Sequence, residues 1–155
     1  MSKSMKRVVA ALEAAGLEPD IHHMANETRT AADAAREAGC DIDQIAKSII
    51  FRGEVTGKIV LFITAGGNHV DPDKASEVAG EPLGRADAAA VRSTTGFAIG
   101  GVSPVGHLTP PRSFFDPTLL RFDQIYAAAG TPHHIFSISS QDLLKISSCQ
   151  IADFV

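Results

Sequence analysis

Apolar residues recur at helical spacing at Met5, Val8, Val9, Leu12 and Ala15, and Gly16 follows as a natural cap, which predicts a first helix over 5–15. Residues 20–24 read as a short strand. Thr30 is placed to cap a second helix over 31–38, with Asp33 at the reciprocal capping position and Gly39 ending it. The pattern then changes from helical spacing to runs rich in β-branched and aromatic residues, at 47–52 and 58–64, separated by Gly53-Glu-Val-Thr-Gly57. Together they predict a hairpin. Because residues 59–63 are apolar at every position, the second strand should be covered on both faces, as in a barrel or a sheet flanked by helices.

Asp71-Pro72 starts another helix, since aspartate caps and proline suits the first turn, and Gly80 closes it. A further helix spans about 87–92, followed by a glycine-rich stretch at 96–107 and the prolines Pro110 and Pro111, with a short strand expected at 97–99. Three more strands are read at 114–115, 124–129 and 134–138, with Gly130-Thr-Pro132 as the turn between the last two. Ser139 or Ser140 opens a final helix through Lys145, and 150–155 is a closing strand. Helices and strands mix without strict βαβ alternation, which predicts an α+β fold on a largely antiparallel sheet.

Length bounds this picture: 155 residues suit one domain, 1–155, able to bury its core without disulfides or a structural metal. A formal charge of −4 argues against coating nucleic acid by bulk electrostatics and leaves room for a local contact to a nucleic-acid end. Cys40 and Cys149 form no C-x-x-C pair and read as free thiols. No apolar run approaches the length needed to span a bilayer and no secretory h-region follows the basic start, so a cytoplasmic protein without membrane association is expected. For the same reason the sequon Asn26-Glu27-Thr28 carries no weight.

Candidate chemistry lies in three places. Lys47 should project to the same side as Ile49 and Phe51, at the end of an apolar stripe, either snorkelling over the core or holding its ammonium in a cleft for an anion such as a phosphate. The loop Gly100-Gly-Val-Ser-Pro-Val-Gly106-His107 could aim backbone amides at a developing oxyanion or be a purely structural turn; it has neither Walker spacing nor a nucleophile elbow around Ser103. The pairs His22-His23 and His133-His134 fall on strands, so within each pair the rings point to opposite faces, and no metal-ligand spacing is present; no metal and no cofactor are expected.

Taken together, Gln44-Ile-Ala-Lys-Ser-Ile-Ile-Phe51, Gly100-Gly-Val-Ser-Pro-Val-Gly106 and Ile125-Tyr-Ala-Ala-Ala-Gly-Thr-Pro-His-His134 resemble the YbaK and prolyl-tRNA-synthetase-associated domain family, in order and spacing over nearly the whole chain. The resemblance implies a mixed, mainly antiparallel sheet curling toward a barrel and flanked by helices. It also implies a free-standing deacylase that hydrolyses the ester of mischarged tRNA, commonly proline tRNA carrying a small non-cognate amino acid. Such a second sieve is needed because a pocket that admits proline cannot strongly exclude smaller side chains by binding alone.

Carried onto this chain, the resemblance makes Lys47 the residue that binds the phosphate or ribose of the tRNA end, and Gly100 and Gly101 the loop that holds the aminoacyl carbonyl. Thr30, Ser48, Ser103, Pro104 and Gly106 are expected around the substrate, as are Gly130 and one of His133 or His134. The implied mechanism is attack by a positioned water, without a covalent intermediate, assisted by loop amides and the neighbouring ribose hydroxyl. The residue after the lysine varies in the family and is Ser48 here, which leaves alanine, serine, cysteine and 2-aminobutyrate open as cargo. Prolyl-tRNA synthetase or an elongation factor are expected delivery partners. The rival readings are a non-catalytic module that binds a tRNA end or amino-acid derivative, an adaptor to a synthetase, and a metal-dependent hydrolase.

Overall fold

The computed structural model describes residues 1–26 and 30–155, and the sequon at Asn26 extends outside the described residues. Among the described residues, five α-helices and eight strands follow one another as α1 (Lys3–Ala14), β1 (Asp20–His23), α2 (Ala31–Ala38), β2 (Ile45–Gly53), β3 (Ile59–Ala65), α3 (Pro72–Ala79), β4 (Leu83–Arg85), α4 (Ala88–Thr95), β5 (Arg112–Phe115), β6 (Gln124–Thr131), β7 (His134–Ser139), α5 (Ser140–Ile146) and β8 (Gln150–Ile151). Short 3-10 turns at Ile42–Gln44 and Pro117–Arg121 lead into β2 and β6. The strands form one sheet in the order β1-β7-β6-β2-β3-β5-β8, with β4 added to β2. Four pairings are antiparallel and three parallel, so the sheet is mixed, and it is open at β1 and β8.

The uninterrupted apolar run in β3 has the consequence the sequence suggests: all seven residues are buried. Its alternate side chains enter different cores. Leu61 and Ile63 pack with Val8 and Leu12 of α1, Val91 of α4, Phe136 of β7 and Leu143 of α5, whereas Val60 and Phe62 pack with Ala75 and Ala79 of α3, Phe114 and Phe154. A third, smaller cluster sets Ala34 and Ala35 of α2 against Ile45 at the start of β2. Helices therefore cover both faces of the sheet.

Caps place the helix ends where the sequence signals stand. Thr30 Oγ1 accepts the Asp33 amide at 3.1 Å and Gly39 adopts a left-handed conformation after α2; Asp71 and Gly80 do the same for α3. Three expectations fail. Residues 97–99 form no strand: left-handed Gly96 ends α4, Thr95 Oγ1 accepts the Phe97 amide, and Gly101 N–H closes a turn on Ala98 O at 3.0 Å. The closing strand is cut to two residues, because the chain then leaves the sheet to bury Phe154 beside Phe62. The β6–β7 turn falls at Pro132-His133 instead of Gly130–Pro132, since β6 continues through an irregularity between Ala128 and Thr131.

That irregularity and the 100–107 loop both abut α1. A Cβ at Gly130, at φ +93°, would stand 2.9 Å from the Ser4 backbone, and one at Gly106, at φ +81°, 2.9 Å from the Arg7 carbonyl oxygen. Both glycines thus let the helix backbone lie directly on the end of β6 and on the loop. Gly130→Ala should destabilise the fold by about 2–4 kcal/mol, combining backbone strain with a collision against a helix that cannot yield, as read from urea unfolding.

Candidate functional site

The cavity of interest, about 700 Å³, has its origin in a defect of strand pairing. One edge of β2 is paired along its length with β3, from Ala46 to Arg52. The other edge is divided: β6 pairs only with Ile45 and Ala46, and β4 only from Phe51 to Gly53. Residues 47–50 are left as a free edge between two short ladders. Neighbouring side chains of a strand point to opposite faces, yet Lys47, Ser48, Ile49 and Ile50 all line the one cavity, because the exposed edge itself is part of the wall. Across the notch stand Tyr126, Ala127, Ala128 and Ile135; Thr30 and Ala31 of α2 and the Gly66-Gly67 turn lie on the Lys47 side, and Ile99, Gly100 and Val102 come from the loop after α4.

Lys47 is half-buried, and its Nζ donates to Gly66 O at 3.3 Å. Burial pushes its ammonium below the usual lysine range, opposed by the carboxylates of Asp116 and Asp43. The Gly66-Gly67 turn is held from below and above. Gly67 N–H donates to Asp43 Oδ1 at 2.8 Å, and a Cβ on Gly66 would collide with the Ile42 carbonyl oxygen. Asp116, buried, accepts the Ala65 amide at 3.1 Å, Asn68 Nδ2 at 2.9 Å and the Thr118 amide at 2.9 Å. Burial raises the Asp116 carboxyl, but these donors outweigh it and hold the group below the usual aspartate value. Asp116, Asp43 and the two glycines are positioning residues that the sequence reading missed. The glycine pair directly after β3 is a legible turn signal; the buried aspartate, 50 residues from the turn it serves, gives none.

The structure separates the sequence candidates. Lys47, Ser48, Thr30 and Gly100 line the cavity. Gly101 lies just behind the wall, its Cα packed towards Gly130 and Thr131, and its amide is committed to Ala98, so it is not a free oxyanion donor. The amides of Gly100 and Val102, both on the wall, have no protein partner among the described residues. Ser103 and Pro104 are buried off the wall; Ser103 Oγ accepts the Val105 amide at 3.2 Å and its carbonyl accepts from His107 Nε2 at 2.7 Å. Gly106 and Gly130 lie against α1. His133 is exposed and His134 bonds Thr131 Oγ1 at 2.7 Å, with its ring 4.9 Å from that of His23; neither borders the cavity. Among the described residues no three histidine, cysteine, aspartate or glutamate side chains gather as a metal-binding group, and no helix is long and apolar enough to cross a membrane.

Lys47, Gly100 and Val102 thus border one largely apolar cavity, and the Gly100 and Val102 amides are unpartnered among the described residues. Residues 25–146 match the model of the aminoacyl-tRNA editing domain, and the chain belongs to that family. The sequence is 28% identical over 134 residues to the uncharacterized protein YwhH of Bacillus subtilis (strain 168), covering 86% of this chain and 85% of that one. The solved structure of "a putative trans-editing enzyme for prolyl tRNA synthetase" superposes with a TM-score of 0.91 at 41% identity, covering 99% of this chain and 98% of that one. The hypothetical protein APE2540 superposes at 0.86 with 27% identity over 96% of this chain and 98% of that one.

Asp116→Ala, which removes the acceptor of three hydrogen bonds, one of them from the buried Ala65 amide, should cost about 2–4 kcal/mol at neutral pH. Because the folded-state value of Asp116 is lowered, its contribution is complete above the unfolded aspartate value and is lost as pH falls through the folded one. The stability gap between wild type and variant should therefore narrow on acidification, as measured by urea titrations between neutral pH and pH ~3.

Proposed function

We propose that the protein hydrolyses the ester of mischarged tRNA in trans, with proline tRNA carrying a small non-cognate amino acid as its substrate. The observation that carries this reading is the shared cavity of Lys47, Gly100 and Val102: one cation and two unpartnered loop amides beside apolar walls, within a chain of the aminoacyl-tRNA editing family. Lys47 takes the terminal phosphate or ribose region of the tRNA. A lysine tied to a carbonyl and drawn down by burial orients an anion, and its ammonium cannot act as a nucleophile while charged. The Gly100 and Val102 amides face the aminoacyl carbonyl and receive the charge that develops when water attacks. The ribose hydroxyl next to the ester moves the proton, and the products are free amino acid and intact tRNA.

Thr30 shapes the cavity rim through the α2 cap, while Ser103, Pro104, Gly106 and Gly130 act by holding the loop and α1 in place. The negative net charge fits a footprint confined to the tRNA end, with prolyl-tRNA synthetase or an elongation factor delivering the substrate in the cytoplasm.

Lys47→Ala should lower deacylation of mischarged proline tRNA by about tenfold to a thousandfold, the range for losing one charged transition-state contact; an unchanged rate would remove Lys47 from the reaction. Since the lowered Lys47 value means its charge is lost at lower pH than that of an ordinary lysine, affinity for adenosine 5′-monophosphate should weaken as pH rises through that value. Lys47→Arg should remove that alkaline limb in calorimetric titrations.

A further inference from the structure

The free edge of β2 carries main-chain groups that neither the fold nor the chemistry above employs. At the hairpin, Gly53 N–H donates to Lys58 O at 2.9 Å, and this sets the direction of each peptide group along the strand. The bonded pairs with β3 are therefore Phe51–Val60, Ile49–Phe62 and Lys47–Thr64. Even-numbered residues turn their N–H and C=O the other way, and Glu54 accordingly donates to Pro82 O, just before β4, at 2.9 Å. On that side the β6 ladder stops at Ala46 and the β4 ladder starts at Phe51. Ser48 lies in the gap, so its N–H and C=O both face the notch with no strand to receive them.

An unpaired strand edge is a template for a further partner, and here it walls a cavity. Its length limits what can pair. Four residues at about 3.4 Å each, closed by β6 at one end and β4 at the other, leave no room for an extended peptide of several residues. In an antiparallel pair a bonded residue exchanges two hydrogen bonds, N–H to C=O and C=O to N–H. An α-aminoacyl group carries the same donor and acceptor at the same separation, in its ammonium and its carbonyl oxygen.

We infer that the Ser48 main chain is a binding site for the α-aminoacyl unit of the substrate, which pairs with it as a one-residue strand. The Ser48 carbonyl accepts the α-ammonium, and Ser48 N–H donates to the acyl oxygen, whose second lone pair is left for the Gly100 or Val102 amide. Paired residues send their side chains to the same face. An L-residue therefore points with Ala46 and Ile50 towards Val91 and Val102, away from Lys47, whereas a D-residue in the same bonds points to the Lys47 side. The edge recognises the aminoacyl unit itself, and the side chain has only to fit the apolar face. The identity of the ligand as an aminoacyl ester rests on the deacylase reading.

The experiment is amide hydrogen exchange of the isotope-labelled protein, followed by NMR, with adenosine carrying L-alanine through a non-hydrolysable 3′-amide. The D-alanyl and lactyl analogues are run beside it, the lactyl one having a hydroxyl in place of the ammonium. Without ligand, Ser48 N–H should exchange faster than the β3-paired amides of Ile49 and Phe51. With the L-alanyl analogue at ten times its dissociation constant, Ser48 exchange should slow about tenfold. The lactyl analogue should bind about fivefold to tenfold more weakly, the difference between a charged and a neutral hydrogen bond, and the D-alanyl analogue should leave Ser48 unprotected. Unaltered Ser48 exchange with the L-alanyl analogue bound, equal affinity for the lactyl analogue, or no binding of any analogue overturns the assignment. Protection of Ser48 without deacylation of any charged tRNA would sink the hydrolase reading and leave the edge site standing; deacylation with Ser48 unprotected would do the reverse.

Discussion

One edge of strand β2 has to serve two partners, and neither reaches the middle. The parallel ladder with β6 ends at Ala46, the antiparallel ladder with β4 begins at Phe51, and between them that edge of β2 is unpaired. Everything at the candidate site depends on that gap. It turns the strand edge into a cavity wall, brings side chains of both parities to one space, and lets α2, the Gly66-Gly67 turn and the loop after α4 converge there. A continuous β6–β2 pairing would place Lys47 and Ser48 on opposite sides of an unbroken sheet.

The gap stays open because its surroundings are rigid. β3 is buried on both faces and fixes β2 along its whole other edge. Asp116 ties the end of β3 to the turn that meets Lys47 by accepting the buried Ala65 amide and Asn68 Nδ2, and it caps the next 3-10 turn by accepting the Thr118 amide. On the far side, Gly106 and Gly130 let α1 press against the loop that carries Gly100. Residues remote from the ligand space thus determine its geometry, while groups bordering it are left with unfinished bonds: a lysine partly stripped of water and two amides without a partner among the described residues. Local departures from full satisfaction of this kind are characteristic of functional surfaces held by a stable frame.

Much of the frame was legible along the chain. The caps at Thr30, Asp71 and Ser139 and the stops at Gly39 and Gly80 act within a few residues, so their signals survive without tertiary information. β4 escaped notice because a three-residue strand containing Gly84 has no periodicity to read and exists only through its pairing with β2. The expected strand at 97–99 illustrates the converse, an apolar stretch in which only Phe97, beneath the Arg7 guanidinium, is buried, and it is held there by a loop while Ile99 stays exposed. At the site, the motif candidates Lys47 and Gly100 border one cavity, but motif order could not tell the wall-forming glycine from Gly101, whose amide is turned to Ala98.

The sequence by itself determined the boundaries of α2 and α3, the doubly buried β3, the parity that sends Lys47 and Ser48 to opposite faces, and the family to which the chain belongs, because these rest on local periodicity, capping chemistry and motif order. Only the tertiary structure decided which residues share the cavity. Where two ladders stop along one strand, which amide keeps its hydrogen free, and which distant carboxylate steadies a turn are properties of contacts between segments far apart in sequence, and no local pattern encodes them.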